Sequence, residues 1–320
     1  MRALYYEAYG GIEQLQIKEL EKPSPKTGEV LIRVHATSLN ASDREFLNGK
    51  PFYTRIWGLF KPRYNVLGSD IAGVIESKGE GCSRFEIGDA VFGDALGSWG
   101  GLAEFACIPE KLLTKKPDNI SFETASALPQ AALVALQALK QKTKLSAGQN
   151  LLVLGGGGGS GTFAIQLGKL YGANVTAVDS ALKSELMLEA GADKTVDFQV
   201  DDVCSAKTQF DVILDLVGKR RIKDFEPVLK PKGTYILVGG PIKRILQVVI
   251  TGKWLFSGEK SAFLLTVEAN QGLDEIIELC QSSKIKPMIG KTYKLDAAIV
   301  AMNDLCSGKI LGKAVVSISE

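Results

Sequence analysis

Residues 151–161 run Leu-Leu-Val-Leu, then five glycines, Ser160 and Gly161. The apolar run has strand character, and five successive glycines can neither prolong a strand nor start a helix by propensity, so they form a turn. An amphipathic helix is expected next, because Phe163, Ala164, Leu167 and Tyr171 keep one apolar face and Gly172 stands where a helix would stop. Gly156, Gly158 and Gly161 satisfy G-x-G-x-x-G. In a strand–turn–helix unit these positions serve a tight turn, backbone approach to a pyrophosphate, and close packing of helix on strand. Amides at the helix start, Gly159 and Ser160, would face the phosphates. A second strand is expected at 174–178. Asp179 ends it about 18 residues beyond Gly161, near the offset of roughly 20 at which a carboxylate meets the adenosine ribose hydroxyls. The expectation is a dinucleotide site.

A chain of 320 residues exceeds what one hydrophobic core usually fills, so two domains are expected. With 38 basic and 36 acidic residues spread along it, the chain offers no footprint for nucleic acid. The opening MRALYYEAYG has none of the parts of a signal peptide, and no apolar stretch reaches the length of a membrane span. Cys82, Cys107, Cys204, Cys280 and Cys306 are odd in number, widely spaced and free of any C-x-x-C pair, which suits reduced thiols in a cytoplasm.

Texture divides the chain. Up to residue 122, short apolar strands (15–17, 30–36, 71–76, 90–93) alternate with turn clusters, an all-β, barrel-like pattern. A helix is expected at 124–140. Strand and helix then alternate, with strands at 150–154, 174–178, 194–197, 210–216, 234–238 and 262–267, which suits a doubly wound parallel sheet. From 291 onward short strands return, ending at 314–319. Residues 1–122 and 286–320 are thus expected to form a β domain, and 123–285 a dinucleotide-binding domain inserted in it.

Several ordered motifs now give a resemblance. Asn40-Ala41-Ser42-Asp43, Leu67-Gly68-Ser69-Asp70-Ile71-Ala72-Gly73-Val74-Ile75, Arg84-Phe85-Glu86-Ile87-Gly88-Asp89, Ala127-Leu128-Pro129, Gly191-Ala192-Asp193, the 210–218 segment and Gly312-Lys313-Ala314-Val315-Val316 look like the medium-chain dehydrogenase/reductase superfamily. The branch they most resemble is the zinc-independent quinone oxidoreductases. The resemblance implies an α/β chain with a Rossmann domain inserted in a GroES-like β-barrel catalytic domain, and a site in the cleft between the domains.

Zinc is not expected. A catalytic zinc takes three converging ligands, usually imidazole or thiolate, and this chain has one histidine, His35, in mid-strand. In the zinc alcohol dehydrogenases the position matching Asn40 is a cysteine, and those matching Ser69 and Asp70 are His-Glu. Without a Lewis acid, hydride transfer to an activated acceptor remains, either a quinone or an α,β-unsaturated carbonyl. Such an acceptor needs positioning and a hydrogen-bond donor, for which Asn40 is the candidate catalytic residue and a cofactor contact. Asp43, Glu45, Phe52 and Trp57 are candidates for the substrate side, although Asp43 would equally cap a short helix, and Phe52 and Trp57 belong to an aromatic segment (52–60) that could pack as core or make an interface. Glu45 departs from the aromatic or basic residue usual in the branch, and Val134 from a threonine beside the cofactor.

Further cofactor contacts are expected from Ser180, Lys183, Phe198, Val217, Gly218, Val238 and Gly239. Asp179 would repel a 2′-phosphate and Phe198 replaces a phosphate-contacting tyrosine, whereas Lys183 matches a lysine that meets that phosphate in NADP-using relatives. NAD(P)H is therefore expected, leaning to NADH. The segment 242–256 would roof the nicotinamide pocket or form a subunit contact, and its few charges argue against stable membrane anchoring. Lys313 is taken as a structural residue of the closing strand. The reading is a cytoplasmic, zinc-independent reductase acting on a small-molecule quinone or enone, with no nucleic acid and with a homodimer left open. A zinc-free alcohol dehydrogenase and a non-catalytic NAD(P)H-binding redox sensor stay open as alternatives.

Overall fold

The computed structural model describes residues 1–318 apart from Trp57, Ala206 and Lys253, and describes Gln141 without its side chain. Along the chain the strands are β1 (Arg2–Tyr5), β2 (Gln16–Glu19), β3 (Glu29–Ser38), β4 (Asp70–Lys78), β5 (Ala90–Asp94), β6 (Phe105–Pro109) and β7 (Thr114–Lys115). There follow β8 (Asn150–Leu154), β9 (Asn174–Asp179), β10 (Lys194–Asp197), β11 (Phe210–Asp215), β12 (Leu229–Leu237), β13 (Ser261–Leu264), β14 (Ile289–Lys294) and β15 (Lys313–Ser317). The α-helices are α1 (Ala41–Asn48), α2 (Phe122–Ser126), α3 (Pro129–Leu136), α4 (Gly159–Leu170), α5 (Ser184–Glu189), α6 (Ile242–Thr251), α7 (Leu273–Gln281) and α8 (Ala298–Cys306).

The chain divides into two compact units. Met1–Gln130, Ala269–Leu273 and Ile289–Glu320 form one, and Ala131–Glu268 with Asp274–Met288 form the other. The division falls at Gln130 rather than at 122 because α2 packs on β3, β4 and β15 of the first unit. Pro129 opens α3, and the single helix expected at 124–140 is instead α2, a break, and α3 continued by a π-helical stretch over Gln137–Lys142.

In the first unit a seven-stranded sheet runs β14-β15-β3-β4-β5-β7, with β6 paired to β3 and a separate β1-β2 pair. The ten-residue β3 is long enough to hold β4 along one edge while β6 and β15 share the other. Its core includes Leu4, Val30, Ile32, Ile71, Trp99, Met302 and Val316. The helix α8 departs from the short strands expected after 291.

The second unit carries a parallel sheet in the order β10-β9-β8-β11-β12-β13. Parallel strands are covered on both faces and so need continuous apolar runs. Leu151 to Leu154 of β8 are all buried, as are Val212 to Leu214 of β11. On α4, Phe163, Ile165 and Leu167 are fully buried, each stabilising the unit by about 1.5–3 kcal/mol. Gly168 lets the helix lie close on β8, since a Cβ there would meet Leu151 Cδ2 at 2.8 Å. Among the described residues no helix is long and apolar enough to cross a membrane.

Candidate functional site

The glycine turn sits at the carboxyl end of β8, where the strand order reverses direction between β9 and β11, the place at which doubly wound sheets take ligands. Its glycines differ in what surrounds them. A Cβ on Gly156 would meet Ala177 Cβ at 2.8 Å and Met187 Sδ at 2.9 Å, and one on Gly161 would lie 2.1 Å from the Gly155 carbonyl oxygen. Those two glycines serve packing and the turn. At Gly158 the nearest atom is Gly155 O at 3.5 Å, and the backbone (φ −90°, ψ 175°) suits any residue. Nothing in the fold requires glycine there. The space beside it is open, as a backbone-to-pyrophosphate approach demands. Gly158 is also the N-cap of α4, and the Thr162 amide donates to its carbonyl at 2.9 Å. The amides of Gly159, Ser160 and Gly161 thus lie in the first turn, which leaves N–H groups without intrahelical partners to meet an anion.

Asp179 ends β9. Its Oδ2 accepts the Gly157 amide at 3.1 Å and its Oδ1 the Ser180 amide at 2.9 Å. Lys183 Nζ stands 3.7 Å from Asp179 Oδ1, and the lysine's stem lies against Gly157. The opposed NADH and NADPH signals of the sequence are therefore one ion pair, which alters the expected repulsion of a phosphate: the carboxylate already carries a counter-charge. Phe198 is exposed, and its amide donates to the Asp179 carbonyl at 3.2 Å. At the end of β11, Asp215 Oδ1 accepts the amides of Val217 (2.9 Å) and Gly218 (2.8 Å), while the buried Tyr235 hydroxyl donates to Asp215 Oδ2 at 2.5 Å. The Val238 amide donates to the Asp215 carbonyl at 2.9 Å, and Gly239, at φ +70°, has nothing within 4 Å of a would-be Cβ. Gly156 to Gly161, Asp179 to Lys183, Val217 and Gly218, and Val238 and Gly239 thus all stand in the second unit, just beyond the carboxyl ends of β8, β9, β11 and β12. Val134 is buried within α3.

The first unit holds a polar cluster that ladder register creates. Ser38 of β3 stands opposite Asp70 of β4, and Asp70 opposite Asp94 of β5. Asp70 Oδ2 accepts the Ser38 hydroxyl at 2.9 Å and Asn40 Nδ2 at 2.8 Å, and its Oδ1 accepts the Gln130 amide at 3.0 Å. Lys313 of β15 reaches the same point, donating to Asn40 Oδ1 at 2.7 Å, the Leu39 carbonyl at 3.2 Å and Asp70 Oδ2 at 3.4 Å. Lys313 is 2% exposed and Asp70 fully buried. Burial pushes the Lys313 ammonium down, against the pull of Asp70 and Asp43. It pushes the Asp94 carboxyl up to about 7, with Asp70 adding to the rise.

Asn40 is the N-cap of α1, and its backbone amide donates to Asp43 Oδ2 at 2.7 Å. Asp43 Oδ1 accepts the Gly68 amide at 2.9 Å. The carboxylate is wholly enclosed, and burial raises it to about 6. Asp43 is therefore a cap and a tie to the 68 turn, and the substrate-side role expected for it is corrected. Glu45 accepts the Tyr53 hydroxyl at 3.0 Å, and burial raises its pKa. Phe52, Ile56, Leu59 and Phe60 are 51–91% exposed, so these four side chains join no core. Trp57 lies outside the described residues. His35 stacks on Phe122 at 4.3 Å, its pKa lowered by burial, and its buried Nε2 has no partner. On α6, Ile242, Leu246, Val249 and Ile250 are exposed, and Leu255 and Phe256 return to the core.

Lys313, expected only as a structural residue of the closing strand, and Asp70, expected only as a position matching a zinc ligand, are both hydrogen-bond partners of Asn40. A signal existed: a lysine inside Gly-Lys-Ala-Val-Val, a strand about to be buried, needs a partner, since lysine is almost never enclosed unpaired.

Comparison with known proteins agrees with this fold. Residues 26–118 match the family described as Alcohol dehydrogenase GroES-like domain, and residues 190–316 the one described as Zinc-binding dehydrogenase. The chain is 32% identical over 331 residues to a chloroplast envelope quinone oxidoreductase homolog of Arabidopsis thaliana, covering 99% of this chain and 98% of that protein. It is 34% identical over 254 residues to an NADPH-dependent alkenal/one oxidoreductase, chloroplastic, of the same plant, covering 76% of this chain and 63% of the relative. Among solved structures, a quinone oxidoreductase from Coxiella burnetii matches with a TM-score of 0.89 at 28% identity, over 100% of this chain and 99% of that one.

Proposed function

The chain belongs to the medium-chain dehydrogenase/reductase family, in its quinone oxidoreductase branch, and from that premise we propose that it is an NAD(P)H-dependent reductase of quinones and α,β-unsaturated carbonyls. One observation carries the cofactor half: Gly158 stands at the head of α4 with open space where a side chain would be, although the fold itself does not need glycine there. The acceptor half is supported by relatives named for quinone and alkenal/one oxidation–reduction.

When bound, the reduced nicotinamide supplies a hydride. The protein's own residues hold and polarise. Amides of Gly159, Ser160 and Gly161 would meet the pyrophosphate, and Asp179 would accept from ribose hydroxyls while Lys183 offsets its charge. Both cofactor forms fit that pair; the lean to NADH is not kept, since one relative is named NADPH-dependent. At the acceptor, hydride adds to carbon, the electron pair moves to oxygen, and a proton follows from water. Asn40 is the proposed donor to that oxygen. Its Nδ2 gives one N–H to Asp70 at 2.8 Å, while the Ser38 carbonyl at 3.5 Å is too distant to hold the other firmly. The contact to Ser38 is the weaker of the two, and an acceptor oxygen would compete with it for that N–H.

Zinc, which one family description names, does not suit this cluster. The ligand positions hold Asn40, Ser69 and Asp70, and the oxygens of Asn40 and Asp70 already face the Lys313 ammonium. A metal at bonding distance, about 2.0–2.2 Å from oxygen, would meet a second cation. The proposed reaction is zinc-independent. A reducing compartment such as the cytoplasm is proposed from five free thiols. The test follows the reduced-nicotinamide absorbance band in the presence of chelator: its loss from NADH or NADPH with quinones and enones, and its appearance from the oxidised cofactors with alcohols. Turnover with quinones or enones is expected; turnover with alcohols alone would reject the reading.

A further inference from the structure

We infer that Lys313 is the positioning residue of the acceptor site: its buried ammonium stands as a built-in cation between Asn40 and Asp70, and it fixes which end of the Asn40 amide is available to donate. The inference rests on the proposed role of Asn40. A side-chain amide can be turned over with little change in shape, exchanging its acceptor oxygen for its donor nitrogen. An ammonium has three donors and no acceptor, so the atom of Asn40 facing Lys313 at 2.7 Å must be the oxygen. The nitrogen is then directed to Asp70, a carboxylate, which only accepts. Both neighbours select the same orientation. Lys313 is itself held by the Leu39 carbonyl and by Asp70, so it has little freedom to release Asn40.

The geometry also accounts for a lysine on a buried strand. Asp70 accepts from Ser38, Asn40 and Gln130 as well as from Lys313, and the Asp43 and Asp94 carboxyls lie in the same enclosed region and act on it electrostatically. A single ammonium among these carboxyl groups offsets part of their charge in any case. Positioning is the additional claim, and it makes the effect of Lys313 depend on Asn40.

The test separates the two roles. Lys313→Met alone would leave Asp70 without its counter-ion and could unfold the chain, so the measurements are made in an Asp70→Asn background, in which the carboxylate that directly contacts Lys313 is gone. There, Lys313→Met should lower kcat with a quinone or enone tenfold or more while Asn40 is present, with the Kd for NAD(P)H unchanged. When Asn40 has been replaced by alanine, the same Lys313→Met change should lower kcat less than twofold. Equal losses in both backgrounds, or no loss in either, would overturn the inference. A second readout does not need turnover. In protein labelled with ¹⁵N-asparagine, the Asn40 side-chain amide, identified by its disappearance in Asn40→Ala, should exchange with water at least tenfold faster in Lys313→Met/Asp70→Asn than in Asp70→Asn. Unchanged exchange would show that Lys313 does not hold the amide. A wild type that reduces no acceptor would count against the proposed function, and the exchange measurement would still decide for or against Lys313.

Discussion

Replacing Gly158 by alanine should separate cofactor binding from folding. In the protein the new methyl would meet its nearest neighbour, Gly155 O, at 3.5 Å, an ordinary contact, and φ −90° asks nothing special of the residue. Two small terms then oppose each other. Reduced freedom of the unfolded chain favours alanine by about 0.4–1 kcal/mol, and alanine's poorer performance at an N-cap costs about 0.5–1 kcal/mol. Net stability should stay within about 1 kcal/mol, and the melting temperature within roughly 4 °C. The ligand side is different, because the methyl would project into the space where the pyrophosphate must approach the backbone. Affinity for NADH and NADPH should fall at least tenfold, about 1.4 kcal/mol or more. Gly161→Ala provides the contrast. There the methyl would lie 2.1 Å from the Gly155 oxygen, so the turn must shift, and overpacking of this kind costs about 1–3 kcal/mol in stability. Thermal melts and titration of cofactor fluorescence on both variants form the assay. Wild-type cofactor affinity in a folded Gly158→Ala protein would refute the placement of the phosphates.

Asn40→Ala should lower turnover with quinones or enones by about tenfold to a thousandfold, with cofactor affinity little changed; Asn40→Asp should be at least as harmful, because it sets a second carboxylate beside Asp70 and the developing charge. Equal steady-state rates in wild type and Asn40→Ala would remove the residue from the mechanism. Asp179→Ser should raise kcat/KM for NADPH relative to NADH by about tenfold, since it frees the Lys183 ammonium, now 3.7 Å from the carboxylate, for a 2′-phosphate; an unmoved ratio would show that the pair does not read this group. Acid titration tests Asp43. Its folded pKa, raised by burial to about 6 from an unfolded value near 4, means that the folded state holds a proton the unfolded state has given up. The associated stability is complete below about pH 4 and is lost as pH rises to about 6. The melting temperature of the wild type should accordingly lose ground to that of Asp43→Asn across that window, and a gain instead would show that the Asn40 and Gly68 amides outweigh burial.

What could be foreseen and what could not follow from how far apart the partners lie in sequence. The β8–turn–α4 unit is local: strand, five glycines and an amphipathic helix occupy consecutive residues, and each glycine's task follows from its place in the turn. The parallel order of β8 to β13 was likewise carried by continuous apolar runs. The helix α8 has a buried face of Ala298, Ala301 and Met302 at helical spacing, but the apolar runs on either side of it carry a stronger strand signal. Asp179 and Lys183 were weighed as separate signals, and only their conformation shows that one answers the other. The cluster around Lys313 was the least accessible. Asn40, Asp70 and Lys313 meet because β15 pairs with β3 and β3 with β4 in one register, and a shift of one residue would turn these side chains to the other face. Asp43 shows the same limit: its spacing to Asn40 announces a cap, whereas its complete burial depends on the distant Gly68 turn.

The proposed reaction moves a hydride from a nicotinamide directly to the carbon of an activated acceptor, without a metal. The most direct measurement uses NADH and NADPH carrying deuterium at C4 on the transferable face, an acyclic enone as acceptor, and chelator throughout, with the product examined by mass spectrometry and proton NMR. The expected product is a saturated ketone bearing one deuterium at the carbon β to the carbonyl and a solvent proton at the α carbon. An unreduced enone, or reduction that appears only when zinc is restored, would contradict it.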